Sequence, residues 1–211
     1  MPAKEVNERL PRVHLITDFP TLDLTALNQV VAVAGTGVDA IQVRAKHATD
    51  REVVAWTRAV VAAVRPLGAR VLVNDRLDVA LAAGADGVHL GLDDLPVAAA
   101  RALTPEGFLI GATCRGHEHA VRARADGADY AGVGPVHAST TKDSLPDPIG
   151  LDALRAAARV LPAIAIGGIT AARVPAVMRA GAHGVAVVAA VWRAQDPPGE
   201  AKRIVDLVRA A

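Results

Sequence analysis

Short runs of apolar, mostly β-branched residues recur along the chain, each followed by a polar turn and then by a stretch with helical spacing. The pattern is plainest from Val71 to Asp94, VLVNDRLDVALAAGADGVHLGLDD. Val71, Leu72 and Val73 halt at Asn74–Asp75, a helical pattern follows through Leu77, Val79, Ala80 and Leu81, and Gly84 is its expected C-cap. A second strand, Gly87 to Leu90, runs into Gly91 and Asp93–Asp94. Two successive βα units thus set carboxylates just past the carboxyl ends of neighbouring strands. In parallel α/β architectures that end of the sheet carries the chemistry.

The same reading extends over the chain. Further strands are expected at Val13–Thr17, Ala40–Val43, Phe108–Ala112, Tyr130–Val133, Ala163–Ile166 and Val185–Val188. Helices are expected at Leu24–Ala34, Asp50–Val64, Pro96–Leu103, His117–Ala125, Leu151–Val160, Ala171–Ala180 and Glu200–Ala210. Related phrases introduce the even-numbered strands: GVDAIQV, GADGVHL, GADYAGV and GAHGVAV. Such recurrence marks repeated supersecondary units, and short connections between alternating strands and helices imply parallel strands with right-handed crossovers. About eight βα units make a (β/α)8 TIM barrel, an α/β fold, of residues 1–211 as a single domain with a short charged extension at 1–11. An open doubly wound sheet would need fewer strands than the pattern supplies.

Composition narrows the function classes. With 211 residues, 52% of them hydrophobic, the chain suits one domain with a substantial core. The 23 basic and 22 acidic side chains leave a net charge of +1, which argues against nucleic-acid binding and leaves room for a local cationic cluster. The single cysteine, Cys114, allows no internal disulfide and fits a reducing compartment. MPAKEVNERLPR has no apolar segment of a signal peptide, and no run approaches the roughly 18 apolar residues of a membrane span. A cytoplasmic protein is expected, with no membrane partner; a homo-oligomer is compatible with the sequence. Aromatic residues are only 2% of the chain, so small branched side chains must fill the core, as in parallel barrels.

Taken in order, the strand ends supply Asp18; Gln42, Arg44 and Lys46; Asn74 and Asp75; Asp94; Thr113, Cys114 and Arg115; Ser139, Thr140, Thr141 and Lys142; Gly167 and Gly168; and Val188 and Ala189. Gathered on one rim, this mixture suits small phosphorylated substrates with a divalent metal. Asp75 and Asp94 each precede a helix and could serve as N-caps; as a pair they fit magnesium, which takes one or two carboxylates plus phosphate oxygens and water. Asp93 competes with Asp94 for that role. Gln42, Arg44 and Lys46 alternate by two and share a side while the strand lasts, a match for a diphosphate or else a solvated strand end. The diglycine lets backbone N–H groups approach an anion. Gly134 to Ile149 is long for a βα connection and reads as a lid over substrate or as an insertion. Cys114 lacks a base and reads as an inert thiol. Among seven histidines, His89 reads as structural within its strand, His117 and His119 as exposed, and none has zinc-ligand spacing.

Read together, ITD, QVRAK, NDRLDVAL, GADGVHLG with its following Asp, GADYAGVGPV, TTK, AIGGIT and GAHGVAVV resemble thiamine phosphate synthase, over nearly the whole chain and in order. The resemblance implies a TIM barrel that joins hydroxymethylpyrimidine diphosphate to hydroxyethylthiazole phosphate and releases pyrophosphate. It implies that Gln42, Arg44 and Lys46 contact the pyrimidine substrate, mainly at its diphosphate, and that Asn74 holds the pyrimidine ring. Asp75 and Asp94 would bind Mg2+, and Lys142 and the hydroxyl of Thr113 would approach the diphosphate. Ser139 keeps the first hydroxyl of the family's lid; Thr140, Thr141, Gly168, Val188 and Ala189 would hold the thiazole phosphate. The implied chemistry is dissociative, diphosphate departing before the thiazole nitrogen attacks.

The chain departs from the family pattern at several positions. Thr113 and Arg115 stand where Ser and, two residues on, His are usual; His137 and Ala138 open the lid where Phe and Pro are common. Ala189 replaces a usual Ser, and His14 a frequent Tyr. The related thiazole tautomerase relies on a histidine at the position of Arg115 and lacks the paired acids. A catalytically silent, phosphate-binding barrel is the second alternative, and the complete ion cluster argues against it.

Overall fold

Runs such as Val71–Val73 are apolar at consecutive positions, as strands covered on both faces must be. In a computed structural model describing residues 10–19, 21–138 and 146–211 they form eight parallel strands. These are β1 (Val13–Ile16), β2 (Ala40–Val43), β3 (Arg70–Asn74), β4 (Gly87–Leu90), β5 (Leu109–Cys114), β6 (Tyr130–Val133), β7 (Ala163–Ala165) and β8 (Gly184–Val187). Each pairs with the next and β8 pairs with β1, closing a barrel. Outside lie α1 (Leu24–Ala34), α2 (Asp50–Val64), α3 (Leu77–Ala83), α4 (Val97–Leu103), α5 (His117–Ala125), α6 (Gly150–Ala158), α7 (Val174–Arg179), α8 (Ala189–Trp192) and α9 (Pro197–Arg209). This is the expected (β/α)8 TIM barrel.

Differences from the sequence reading have local causes. The stretch expected as one helix from Ala171 opens as a 3-10 turn, Ala171–Arg173, with Pro175 in the first turn of α7. Helix α9 begins before Glu200 because Asp196 accepts a hydrogen bond from the Gly199 N–H. The four-residue α8, too short to show a period, was not expected; the Trp192 indole anchors its end by donating to the Ile16 carbonyl at 2.7 Å.

The repeated phrases tie the bottom of the barrel. In each of the first three, the aspartate before an even strand accepts a hydrogen bond from the backbone of the preceding odd strand. Asp39 accepts from Val13 N at 2.8 Å, Asp86 from Val71 N at 2.7 Å and Asp129 from Ile110 N at 2.7 Å. In the fourth phrase His183 stands at that place, with Nε2 3.1 Å from the Leu10 carbonyl. The three aspartates therefore satisfy strand-end N–H groups, and the histidine faces a carbonyl.

Inside the barrel, Leu72, Leu109, Tyr130, Ile164 and Ala186 form a cluster of their own, distinct from the shell between strands and helices. One bulky ring among few aromatics needs bare backbone opposite. A Cβ on Gly111 would lie 2.1 Å from Tyr130 Cζ, and one on Gly132 would lie 2.5 Å from His89 Cε1. His14 completes the layer, edge-on to Tyr130 at 5.2 Å, with Nε2 donating to the Pro11 carbonyl at 3.0 Å.

Burial drives the His14 pKa from 6.5 down to about 4, against the pull of the Pro11 carbonyl. The unfolded chain therefore holds more protons than the folded one between those values, so stability falls as the pH drops through that window. Urea unfolding at pH 5 is expected to give a stability about 2 kcal/mol lower than at pH 7. His183, lowered chiefly by burial, acts in the same direction. Equal midpoints at the two pH values would contradict a neutral buried His14.

Candidate active site

A cavity of about 730 Å³ opens at the carboxyl ends of the strands. Its wall includes every described residue expected on the rim as a ligand-binding group: Gln42, Arg44, Lys46, Asn74, Asp75, Asp94, Thr113, Gly168, Val188 and Ala189. Ser139, Thr140, Thr141 and Lys142, with the next three residues of the expected lid, lie outside the described residues.

The two acids meet over Gly91. Asp94 Oδ2 accepts from the Gly91 N–H at 2.6 Å, and a Cβ on Gly91 would lie 2.8 Å from that oxygen and 4.0 Å from Asp75 Oδ1. Neither acid caps a helix: Arg76 and Pro96 occupy the N-cap positions of α3 and α4, and neither helix has a side-chain cap. Asp75 instead sits at the centre of a three-residue turn with φ +66°, the Arg76 N–H donating to the Asn74 carbonyl at 2.8 Å. Left-handed backbone at a non-glycine residue is strained, and such strain concentrates at functional sites. Asp94 titrates above the usual carboxylate range, first because of burial and then because of Asp75; the Gly91 N–H and Lys46 oppose the shift. Asp93 is exposed and also borders the cavity, whereas Asp94 is partly covered and bonded to the Gly91 N–H.

Cations lie beside the acids. Lys46 Nζ is 3.6 Å from Asp75 Oδ2. Arg44 donates to Asp18 Oδ1 at 2.7 Å, and its backbone N–H donates to the Thr17 hydroxyl at 2.9 Å, so the ends of β1 and β2 aim this guanidinium together. Gln42 is 3% exposed on the inner face of β2. Thr113 Oγ1 is 3.1 Å from His89 Nε2, and the His89 ring stacks on Tyr130 at 5.7 Å.

The opposite wall is backbone-rich. Gly167 and Gly168 take φ +91° and +62°, conformations that a side chain would strain. Arg173 donates to the Gly168 carbonyl at 2.6 Å, and Val188 and Ala189 pass from β8 into α8 beside it. In TIM barrels the loops after strands seven and eight and a short extra helix commonly form a phosphate site.

Residues 13–191 match the family described as thiamine monophosphate synthase. The chain belongs to that family. A thiamine-phosphate synthase of Salinispora arenicola is 50% identical over 192 residues, covering 89% of this chain and 92% of the relative. One from Chloroflexus aurantiacus is 46% identical over 201 residues, covering 93% and 92%. The solved structure of a thiamine phosphate pyrophosphorylase from Pyrococcus furiosus superposes with a TM-score of 0.86 at 33% identity, covering 97% of this chain and 98% of that one.

Two side chains that line this mouth, His89 and Arg173, had no ligand role assigned from the sequence. His89 was expected to be structural; it packs on Tyr130 and also lines the cavity. A period-two count along β4 finds it, because Gly87 and His89 face inward and the last inward residue of a strand reaches the mouth. Arg173 had no motif to mark it, its position depending on the 3-10 turn after the diglycine. Cys114 is buried and its thiol is pushed up to about 11 by burial, as an inert thiol requires. His117 is exposed as expected, whereas His119 is partly covered and its Nδ1 accepts from the Arg115 N–H at 3.3 Å.

Proposed function

We propose that this chain couples hydroxymethylpyrimidine diphosphate to hydroxyethylthiazole phosphate, forming thiamine phosphate and pyrophosphate. The observation that carries the reading is the single mouth in which the Asp75–Asp94 pair and the Arg44 and Lys46 cations face a second, backbone-lined anion site at Gly168, Val188 and Ala189. One end suits a diphosphate and the other a monophosphate, with room between them for two heterocycles.

The donor set at Asp75 and Asp94 fits magnesium. No group of three or more acidic, histidine or cysteine ligands occurs among the described residues, and magnesium needs no such group when substrate phosphate and water complete its shell. Burial, and after it Asp75, raises the Asp94 pKa, and a divalent cation held by these residues would favour the ionised form. Bound there, magnesium would stabilise negative charge on the departing diphosphate.

Gln42, Arg44 and Lys46 bind the pyrimidine substrate, mainly at its diphosphate, the Thr113 hydroxyl donates to that group, and Asn74 holds the pyrimidine ring. The bond between the pyrimidine methylene carbon and the diphosphate oxygen breaks, its electron pair leaving on oxygen. Preorganised cations lower the barrier because they meet charge as it develops and need no reorganisation. The thiazole nitrogen then gives its lone pair to the methylene cation, forming the new C–N bond. Anchoring of the thiazole phosphate at Gly168, Val188 and Ala189 holds that nitrogen in line. Lys142 on the diphosphate, and Ser139, Thr140 and Thr141 on phosphate oxygens, remain assignments drawn from the family resemblance.

Purified protein with both substrates and magnesium should yield thiamine phosphate and pyrophosphate in equal amounts, read by mass spectrometry and a pyrophosphate assay. Thiazole isomerisation without coupling would favour the tautomerase, and phosphate-ligand binding without turnover the silent barrel.

Gly91→Ala probes the carboxylates without touching them. The added methyl meets the far end of Asp94, a side chain able to swing, so melting should shift by only a few degrees. The displaced carboxylate should cost about 10- to 100-fold in kcat/KM. Unchanged kinetics would place Asp94 outside the working site.

A further inference from the structure

We propose that Arg115 is a diphosphate-binding residue, an additional anion anchor at the β5 side of the mouth; the inference rests on the coupling reading and extends it. Arg115 follows β5 directly, two residues beyond Thr113, and lines the cavity. Its Nη2 donates to the Asp147 carbonyl at 2.9 Å, which fixes the plane of the guanidinium. Its Nη1 is buried and finds no hydrogen-bond acceptor among the described residues. No carboxylate among those residues lies within ion-pair distance of it.

A buried guanidinium N–H with neither acceptor nor counter-ion is costly, and native proteins seldom keep one without a reason. Here the reason is an acceptor that arrives with the substrate. The group offers fixed positive charge and a planar donor fork, the match for phosphoryl oxygens. Its place selects the anion: β5 adjoins β4, the strand that leads to Asp94, and lies away from the backbone-lined site after β7 and β8.

Binding of inorganic pyrophosphate with magnesium, measured by calorimetry, tests the inference apart from turnover. Arg115→Met should weaken binding about 10- to 100-fold, raise KM for the pyrimidine diphosphate and leave KM for the thiazole phosphate within about twofold. Arg115→Lys should recover part of the loss. The affinity of Arg115→His relative to the parent protein should fall from pH 6 to pH 8 as the imidazole loses its proton. Unchanged pyrophosphate affinity in Arg115→Met, or equal rises in both KM values, would overturn the proposal. Should Arg115→Met fail to fold, the Lys and His variants decide: affinity in both equal to the parent at every pH would overturn it. Failure of the two readings is distinguishable. Thiamine phosphate formation with pyrophosphate binding indifferent to Arg115 removes only this proposal; no coupling, with binding still dependent on Arg115, removes only the coupling reading.

Discussion

Asp94→Asn is expected to lower kcat/KM for thiamine phosphate formation by on the order of 10²- to 10³-fold and to leave thermal stability unchanged or slightly raised. The amide keeps the shape of the side chain, and its oxygen can still accept from the Gly91 N–H. What disappears is the negative charge. Burial and Asp75 both disfavour that charge in the folded protein, so removing it relieves a tension in the fold. A group whose loss harms activity and spares stability is the mark of a site held against the preference of the fold. Full activity in Asp94→Asn would remove the metal assignment, and a collapse in melting temperature would make Asp94 a structural residue instead. Steady-state kinetics at saturating magnesium, with calorimetric melting of the same preparations, checks both halves.

Gly111→Ala is expected to destabilise the barrel by about 3 kcal/mol or more. The new methyl would fall within 2.1–2.5 Å of three atoms of Tyr130, a side chain only 1% exposed. The ring cannot retreat, since His14 stands 5.2 Å away on one side and His89 5.7 Å on another. Movement of His89 would carry over to Thr113, so activity should fall along with stability. The specific content is pairwise: in a Tyr130→Leu background the same Gly111→Ala change should cost much less, giving a large coupling in a double-mutant cycle from urea unfolding. Additive losses would mean that the interior is not packed around that ring.

Much of this architecture was legible because the signals were periodic. Buried β-branched runs and helical stripes located all eight strands, and the four related phrases marked half of them. The aspartate in the first three phrases has a specific task, accepting the N–H of the neighbouring strand. Helix α8 carried no such signal in four residues. At the mouth, residue type and strand position together found Gln42, Arg44, Lys46, Asn74 and the two acids. Sequence alone left Asp75 and Asp94 open to an N-cap role, because a cap and a metal ligand use the same side chain just before a helix; in the fold neither caps one, Arg76 and Pro96 holding those positions. His89 was obscured by its place inside a strand, where the default reading is packing. Arg115 was visible as a charge, but its fixed guanidinium and unsatisfied N–H depend on the Asp147 carbonyl, 32 residues further along the chain.

The central claim is that Asp75 and Asp94 hold a divalent ion against a diphosphate gripped by Arg44 and Lys46. Its most direct test is a crystal structure grown with magnesium, pyrophosphate and thiamine phosphate. The account predicts a metal bridging the two carboxylates and the diphosphate, with the thiazole phosphate against Gly168, Val188 and Ala189. Magnesium pyrophosphate bound elsewhere, or a mouth in which the two carboxylates stay paired with Lys46 and the Gly91 N–H and no metal joins them, would contradict it.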